Sequence, residues 1–92
     1  MKTPVVITDY YTMYIESVPP IDVFHCDVLK WNKSIKNSFI ENFNNFFKQD
    51  IYCFMEPTNI KLKKFASMLG FKHYKDFVGL DNVSYSLFLR RQ

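Results

Sequence analysis

The segment Glu56-Pro57-Thr58-Asn59-Ile60-Lys61-Leu62-Lys63-Lys64-Phe65-Ala66-Ser67-Met68-Leu69-Gly70-Phe71 decides how the rest of this 92-residue chain is read. Pro57 lacks a backbone donor and ends the extended run before it. Asn59 offers a side-chain oxygen to the first free amides of a helix. Beyond it Ile60, Leu62, Phe65, Met68 and Leu69 are expected to pack inward, with Lys61, Lys63 and Lys64 toward water. Gly70 is placed to take the left-handed conformation that closes a helix, and Phe71 follows as its hydrophobic contact. The segment therefore predicts a strand end, a capped helix and a sharp helix stop.

Upstream, Ile51-Tyr52-Cys53-Phe54-Met55 is an almost wholly apolar run, the pattern of a strand covered on both faces. Before it, Ile35, Phe39, Phe43 and Phe46 recur at helical spacing, with Ile40 and Phe47 widening the stripe. This predicts an amphipathic helix from about Lys33 to Lys48, capped by Asn32 or Ser34. Ile21 to Trp31 alternates: Phe24, Cys26 and Val28 face one way, and Val23, His25, Asp27 and Leu29 the other. That strand pairs as a hairpin with Val5 to Ile15 across Ser17-Val18-Pro19-Pro20, and Asp9-Tyr10 marks a bulge or turn within the first arm. Downstream, His73 to Val78 and Val83 to Leu89 form a second hairpin around Gly79-Leu80-Asp81-Asn82. The order is β-β-α-β-α-β-β, an α/β domain over residues 1–92 with a mixed sheet and a parallel crossover through the first helix.

Composition agrees with one folded unit. Apolar residues make up 48% and aromatics 18%, far above what a solvated chain carries. The apolar runs are too short for a membrane span, and the N-terminus lacks the apolar stretch of a secretory signal, so a cytoplasmic location is expected. Net charge is +3: residues 1–50 hold five Lys against six acids, residues 51–92 seven Lys or Arg against three. That excess is read as a solvated basic face, and nucleic acid is not the expected partner. Cys26 and Cys53 have no zinc-ligand spacing and are expected as buried thiols, with no metal.

The Asn-opened helix ending in Leu69-Gly70-Phe71 before a terminal hairpin resembles the C-terminal part of the GNAT acyltransferase fold. The resemblance runs from about Tyr11 to Arg90 and implies a truncated GNAT-like domain lacking the family's N-terminal strand and helix pair. It also implies a site for acetyl-coenzyme A. In the family a loop of the form Gln/Arg-x-x-Gly-x-Gly/Ala opens a helix whose free amides bind the pyrophosphate. Here Trp31, Ser34 and Lys36 stand at those positions. The resemblance makes Lys33, Ser34, Lys36 and Asn59 the cofactor-binding residues if acetyl-coenzyme A binds. Ala66 stands where many members carry a Tyr that protonates the departing thiolate.

His25 and Asp27, on one strand face, are the candidates for a hydrogen-bonded base; the alternative is a surface histidine beside a solvated carboxylate. Tyr52 and Tyr74 are further proton sources or else core and rim aromatics. His73 is read as solvent-facing and without a partner. The departures at Trp31, Ser34, Lys36 and Ala66 favour a catalytically degenerate GNAT-like module that binds a protein partner and needs no cofactor. Its surfaces would be Lys61 and Lys64 with Arg90 and Arg91, or the aromatic strand around Tyr10, Tyr11 and Tyr14. The Asn-, Lys-, Phe- and Ile-rich composition suggests a viral or mobile-element protein acting on host factors in the host cytoplasm. The alternative is a minimal acetyl-coenzyme A-dependent N-acetyltransferase. An exposed sheet edge or face would also suit a homodimer.

Overall fold

The computed structural model describes residues 1–92, in the order β1 (Thr3–Ile7), β2 (Tyr11–Val18), β3 (Ile21–Val28), α1 (Lys33–Phe46), β4 (Ile51–Met55), α2 (Ile60–Met68), β5 (Lys72–Val78) and β6 (Ser84–Arg90). The expected α/β architecture with a mixed sheet is present, but the sheet has six strands rather than five. The additional strand comes from the first arm, which turns at Thr8–Tyr10 instead of running through. There the Thr8 hydroxyl donates to the Tyr11 carbonyl at 3.1 Å and accepts from the Tyr11 amide at 3.0 Å. β1 then folds back antiparallel on β2.

The strands lie in the order β1-β2-β3-β4-β6-β5. β2 and β3 pair antiparallel from Val18↔Ile21 to Tyr11↔Val28 around the Pro19-Pro20 turn. β4 runs parallel to β3, as a connection through α1 requires, and β6 pairs antiparallel with both β4 and β5.

Both helices start and stop where their residues dictate. Asn32 Oδ1 accepts the Ile35 amide at 2.9 Å, and Asn59 Oδ1 accepts the Leu62 amide at 3.1 Å. At the end of α2, Gly70 has φ +90°. Its amide donates to Ser67 O at 3.0 Å, and the Phe71 amide donates to Ala66 O at 3.1 Å. That pair of bonds is the Schellman closure expected from Leu69-Gly70-Phe71.

The helices pack on one face of the sheet. Ile35, Phe39, Phe43 and Phe47 descend onto Tyr11, Met13, Phe24, Ile51 and Phe88, with Ala66, Leu69 and Phe71 closing the far side. Phe39 is fully buried, with ring centroids 4.8 Å from Tyr11 and 5.3 Å from Phe65. Two inward assignments in α2 do not hold: Ile60 and Leu62 are exposed, and Ala66 is the buried residue. The helix rotates its small residue to the sheet, which lets its backbone approach β4. The strand read as covered on both faces is covered on one. Phe54 remains 43% exposed because both helices lie on the other side. Neither helix is long and apolar enough to cross a membrane.

Tyr11, expected as a docking aromatic, is instead 1% exposed. Its hydroxyl accepts from Asn42 Nδ2 at 2.6 Å and lies 2.8 Å from Ser38 Oγ. Arg90 also leaves the docking set. Its guanidinium donates to Phe47 O and Asn44 Oδ1 at 3.0 and 2.9 Å and sits 4.8 Å from the Phe43 ring centroid. Phe39→Ala should cost about 3–5 kcal/mol in chemical denaturation. Tyr11→Phe should cost about 1–3 kcal/mol, because Asn42 and Ser38 lose their shared partner while the ring stays.

Candidate functional site

β3 and β4 share a single ladder pair, Val23 opposite Tyr52. Beyond it the strands part, and side chains fill the wedge between them. Phe24 and Cys26 come from one strand, Cys53, Phe54 and Met55 from the other, with Leu62, Phe65, Ala66 and Leu69 above. They enclose a wholly apolar cleft of about 170 Å³. It adjoins a groove of about 590 Å³ between Val28, Trp31 and the start of α2, the two sharing Cys26, Leu62 and Phe65. Trp31 walls this groove, its ring 5.7 Å from Phe39 and 5.5 Å from Phe65.

Of the four residues implied as cofactor ligands, the groove contains only Asn59. Lys33, Ser34 and Lys36 project from the exposed first turn of α1. Ser34 lines a separate hollow with Tyr10 and Ser38. The amides of Lys33 and Ser34 belong to the unpaired start of the helix, where backbone geometry favours anions. Asn32, capping Ile35, has satisfied the next one.

His25 and Asp27 lie on the uncovered face but do not pair. Residues two apart on a strand are separated by about 7 Å, and each finds a nearer cross-strand partner. His25 Nε2 lies 2.8 Å from Glu16 Oε1, while Asp27 Oδ2 accepts the Tyr14 hydroxyl at 2.8 Å. The hydrogen bond from His25 holds the Glu16 carboxyl below the ordinary 4.5. With Nε2 donating to Glu16, Nδ1 carries the ring lone pair, the arrangement of an oriented base. The His25 ring stands edge-on to Phe54, centroids 6.4 Å apart.

Phe54 connects two spaces. It lines the apolar cleft on the helix side and, on the open side, a groove of about 720 Å³ with Glu16, Val23, Phe77, Tyr85 and Leu87. Tyr52 and Tyr74 pair edge-on at 5.9 Å. Tyr52, half-buried, is the β4 member of the single ladder pair, and Tyr74 is exposed. His73 does have a partner: Nε2 lies 2.8 Å from Asp76 Oδ1, which also accepts the Ser86 hydroxyl at 2.8 Å. The register shift between His73 and Lys75 accompanies this pairing on an edge strand.

A solved structure from Bordetella pertussis, assigned to the GnaT-family acetyltransferases, superposes on 88% of this chain with a TM-score of 0.61 and 12% identity. The fold is GNAT-like. This chain covers 56% of that structure's length. The sequence matches no family model and is similar to no curated protein. In this GNAT-like sheet the parting of β3 and β4 and the Asn59-capped α2 define the candidate site.

Sequence reasoning missed Glu16, Trp31 and Phe54 as site residues. Glu16 was within reach: a hairpin turning on Pro19-Pro20 sets Tyr14 opposite His25 and leaves Glu16 on the same face one pair away. Phe54 carried no such signal, because an apolar run does not say which face stays bare.

Burial pushes the Cys26 thiol up to about 11 and the Cys53 thiol up to about 12. Both should resist iodoacetamide at pH 8 in the folded protein and react readily in denaturant, as read by mass spectrometry. Glu16, Asp76 and Asp81 all lie below their ordinary values, by hydrogen bonds chiefly from His25, His73 and Tyr85 respectively. A lowered carboxyl contributes stability that is full above its unfolded value and is lost as pH falls through the folded one. Tyr14 and Tyr85 lie above 10.0, raised chiefly by hydrogen bonds to Asp27 and Asp81. Their contribution is full below pH 10 and fades above it. Urea midpoints should therefore fall below about pH 4 and again above about pH 10, and Asp81→Asn should flatten the acid arm.

Proposed function

We propose that this chain is a minimal acetyl-coenzyme A-dependent N-acetyltransferase whose donor arm enters the wedge between β3 and β4. The single observation that carries this reading is the one-pair seam at Val23↔Tyr52, which opens an apolar cleft on the helix side, with Phe54 reaching from that cleft to the His25–Glu16 pair on the open face. Acetyl-coenzyme A supplies an activated acyl group as its thioester. Phe24, Cys53, Met55 and Ala66 present an apolar lining suited to the aliphatic part of an extended chain. Asn59 and Trp31 border the adjoining groove, and Lys33 with the first amides of α1 would face the phosphates. Lys36 adds bulk where the family keeps Gly or Ala, and Trp31 replaces a polar Gln or Arg, so the fit is better for the arm than for the phosphates. On the open face His25 Nδ1 is placed to accept a proton from an amine, with Glu16 orienting the ring through Nε2.

A second reading is a catalytically degenerate module that binds a protein partner. Ala66 favours it, because it is buried in the cleft at the position where many family members carry the acid. So does the exposed surface of α2, where Ile60 and Leu62 lie among Lys61 and Lys64. A viral or mobile-element origin and a homodimer belong with this reading; the first rests on composition, the second on the uncovered sheet face.

Calorimetry and a thiol-release assay on the same preparation separate the two. The transfer reading expects acetyl-coenzyme A binding tighter than about 100 μM. Lys33→Ala should weaken that binding and Ala66→Phe, which fills the cleft, should abolish it. His25→Ala should leave binding intact and lower turnover by about 10²-fold or more. Binding without turnover in the unaltered protein would leave the degenerate module standing alone. No detectable binding would sink the transfer reading.

A further inference from the structure

The uncovered sheet face holds a groove of about 720 Å³ that the donor cleft does not use. We infer that this groove is a binding site for a hydrophobic primary amine, held as its ammonium ion. As an acceptor site it deepens, and rests on, the transfer reading above; as a binding site it stands without it.

Three rings line the groove and support one another. Phe54 meets Tyr85 edge-on at 5.5 Å and Phe77 at 6.2 Å, and Phe77 stacks on Tyr85 at 5.4 Å. Aromatic rings attract organic cations through their quadrupoles as well as packing against apolar groups. Two carboxylates, Glu16 and Asp81, share the lining with a single cation, Lys75. With the fully exposed Met1 ammonium displaced from Glu16, that balance favours a positive ligand and opposes an anionic one. The carboxylate of Glu16 already accepts an ammonium group in this fold: the α-amino nitrogen of Met1 lies 3.5 Å from Oε2. Val23 and Leu87, both buried, floor the groove and provide an apolar surface for the body of the ligand.

The wall is built rather than incidental. Tyr85 donates to Asp81 Oδ2 at 2.5 Å, and the Val83 amide donates to Asp81 Oδ1 at 3.0 Å. Gly79 lies so close that an added Cβ would stand 2.7 Å from Asp81 Oδ1 and 2.8 Å from Tyr85 Cε2. The second glycine of the chain thus leaves the space that the hydrogen-bonded carboxylate and ring occupy. A neutral apolar ligand would gain nothing from Glu16 and Asp81. A small hydrophilic amine would gain nothing from the rings and the aliphatic floor. Only a ligand with both parts uses the whole surface.

The test compares 3-phenylpropylamine with 3-phenylpropan-1-ol, a neutral molecule of nearly the same shape, by calorimetry on the unaltered full chain without acetyl-coenzyme A. The amine should bind at least about tenfold more tightly. Glu16→Gln should remove most of that preference and leave the affinity for the alcohol unchanged. Equal affinities, or no amine binding at millimolar concentration, would overturn the inference. The ligand pair decides even if the variant does not fold. Amine binding with no acetyl transfer would overturn the transfer reading alone. Transfer to small hydrophilic amines as readily as to 3-phenylpropylamine would overturn this one.

Discussion

Phe24 on β3 meets Phe43 of α1 and Phe47, the residue that ends that helix, at 5.1 and 5.2 Å, and Phe71 at 6.1 Å. These contacts bridge the place where backbone hydrogen bonding between β3 and β4 is reduced to one ladder pair. A sheet split in this way would ordinarily behave as two separate hairpin systems. Here the aromatic stripe of α1 lies across both halves and joins them by burial instead. The seam can therefore stay open toward its C-terminal end without the domain losing cohesion. The apolar cleft, the groove beside Trp31 and the exposed edge of Phe54 all follow from that arrangement.

The placement of both helices on one face has an equally direct consequence. It concentrates the burial of Phe39, Phe43 and Phe47 on one side and leaves Tyr14, His25, Phe54, Phe77 and Tyr85 on the other without a roof. Those residues respond by pairing among themselves: His25 with Glu16, Tyr14 with Asp27, Tyr85 with Asp81. Such exposed pairs contribute little to stability one by one. They do hold their side chains in defined positions, which is what a binding face requires. The two thiols in the wedge illustrate the opposite environment, where burial keeps both protonated.

Much of this architecture was legible locally. Asn32 and Asn59 as caps, the Phe stripe of α1 and the closure at Gly70-Phe71 each depend on a few neighbouring residues, and each appears as read. The turn at Thr8–Tyr10 was legible only as a choice between bulge and turn, because the Thr8 hydroxyl contacts that settle it form once the chain has folded back. The inward face of α2 was misassigned for a related reason. Its hydrophobic residues surround the helix, so periodicity alone could not say that Ala66 and not Leu62 would meet the sheet. The candidate site was half legible: His25 stood out, but its partner came from another strand.

By itself the sequence determined both helices, the strands from β3 onward and the GNAT-like order of the second half, since these are set by contacts within a few residues. It also determined where the two glycines fall, one with φ +90° at the end of α2 and one in the terminal hairpin. The tertiary structure alone decided that β3 and β4 part after one pair and that Phe54 faces both cleft and groove. Those outcomes depend on register across strands and on which face the helices cover. Both are long-range packing results that no local pattern encodes.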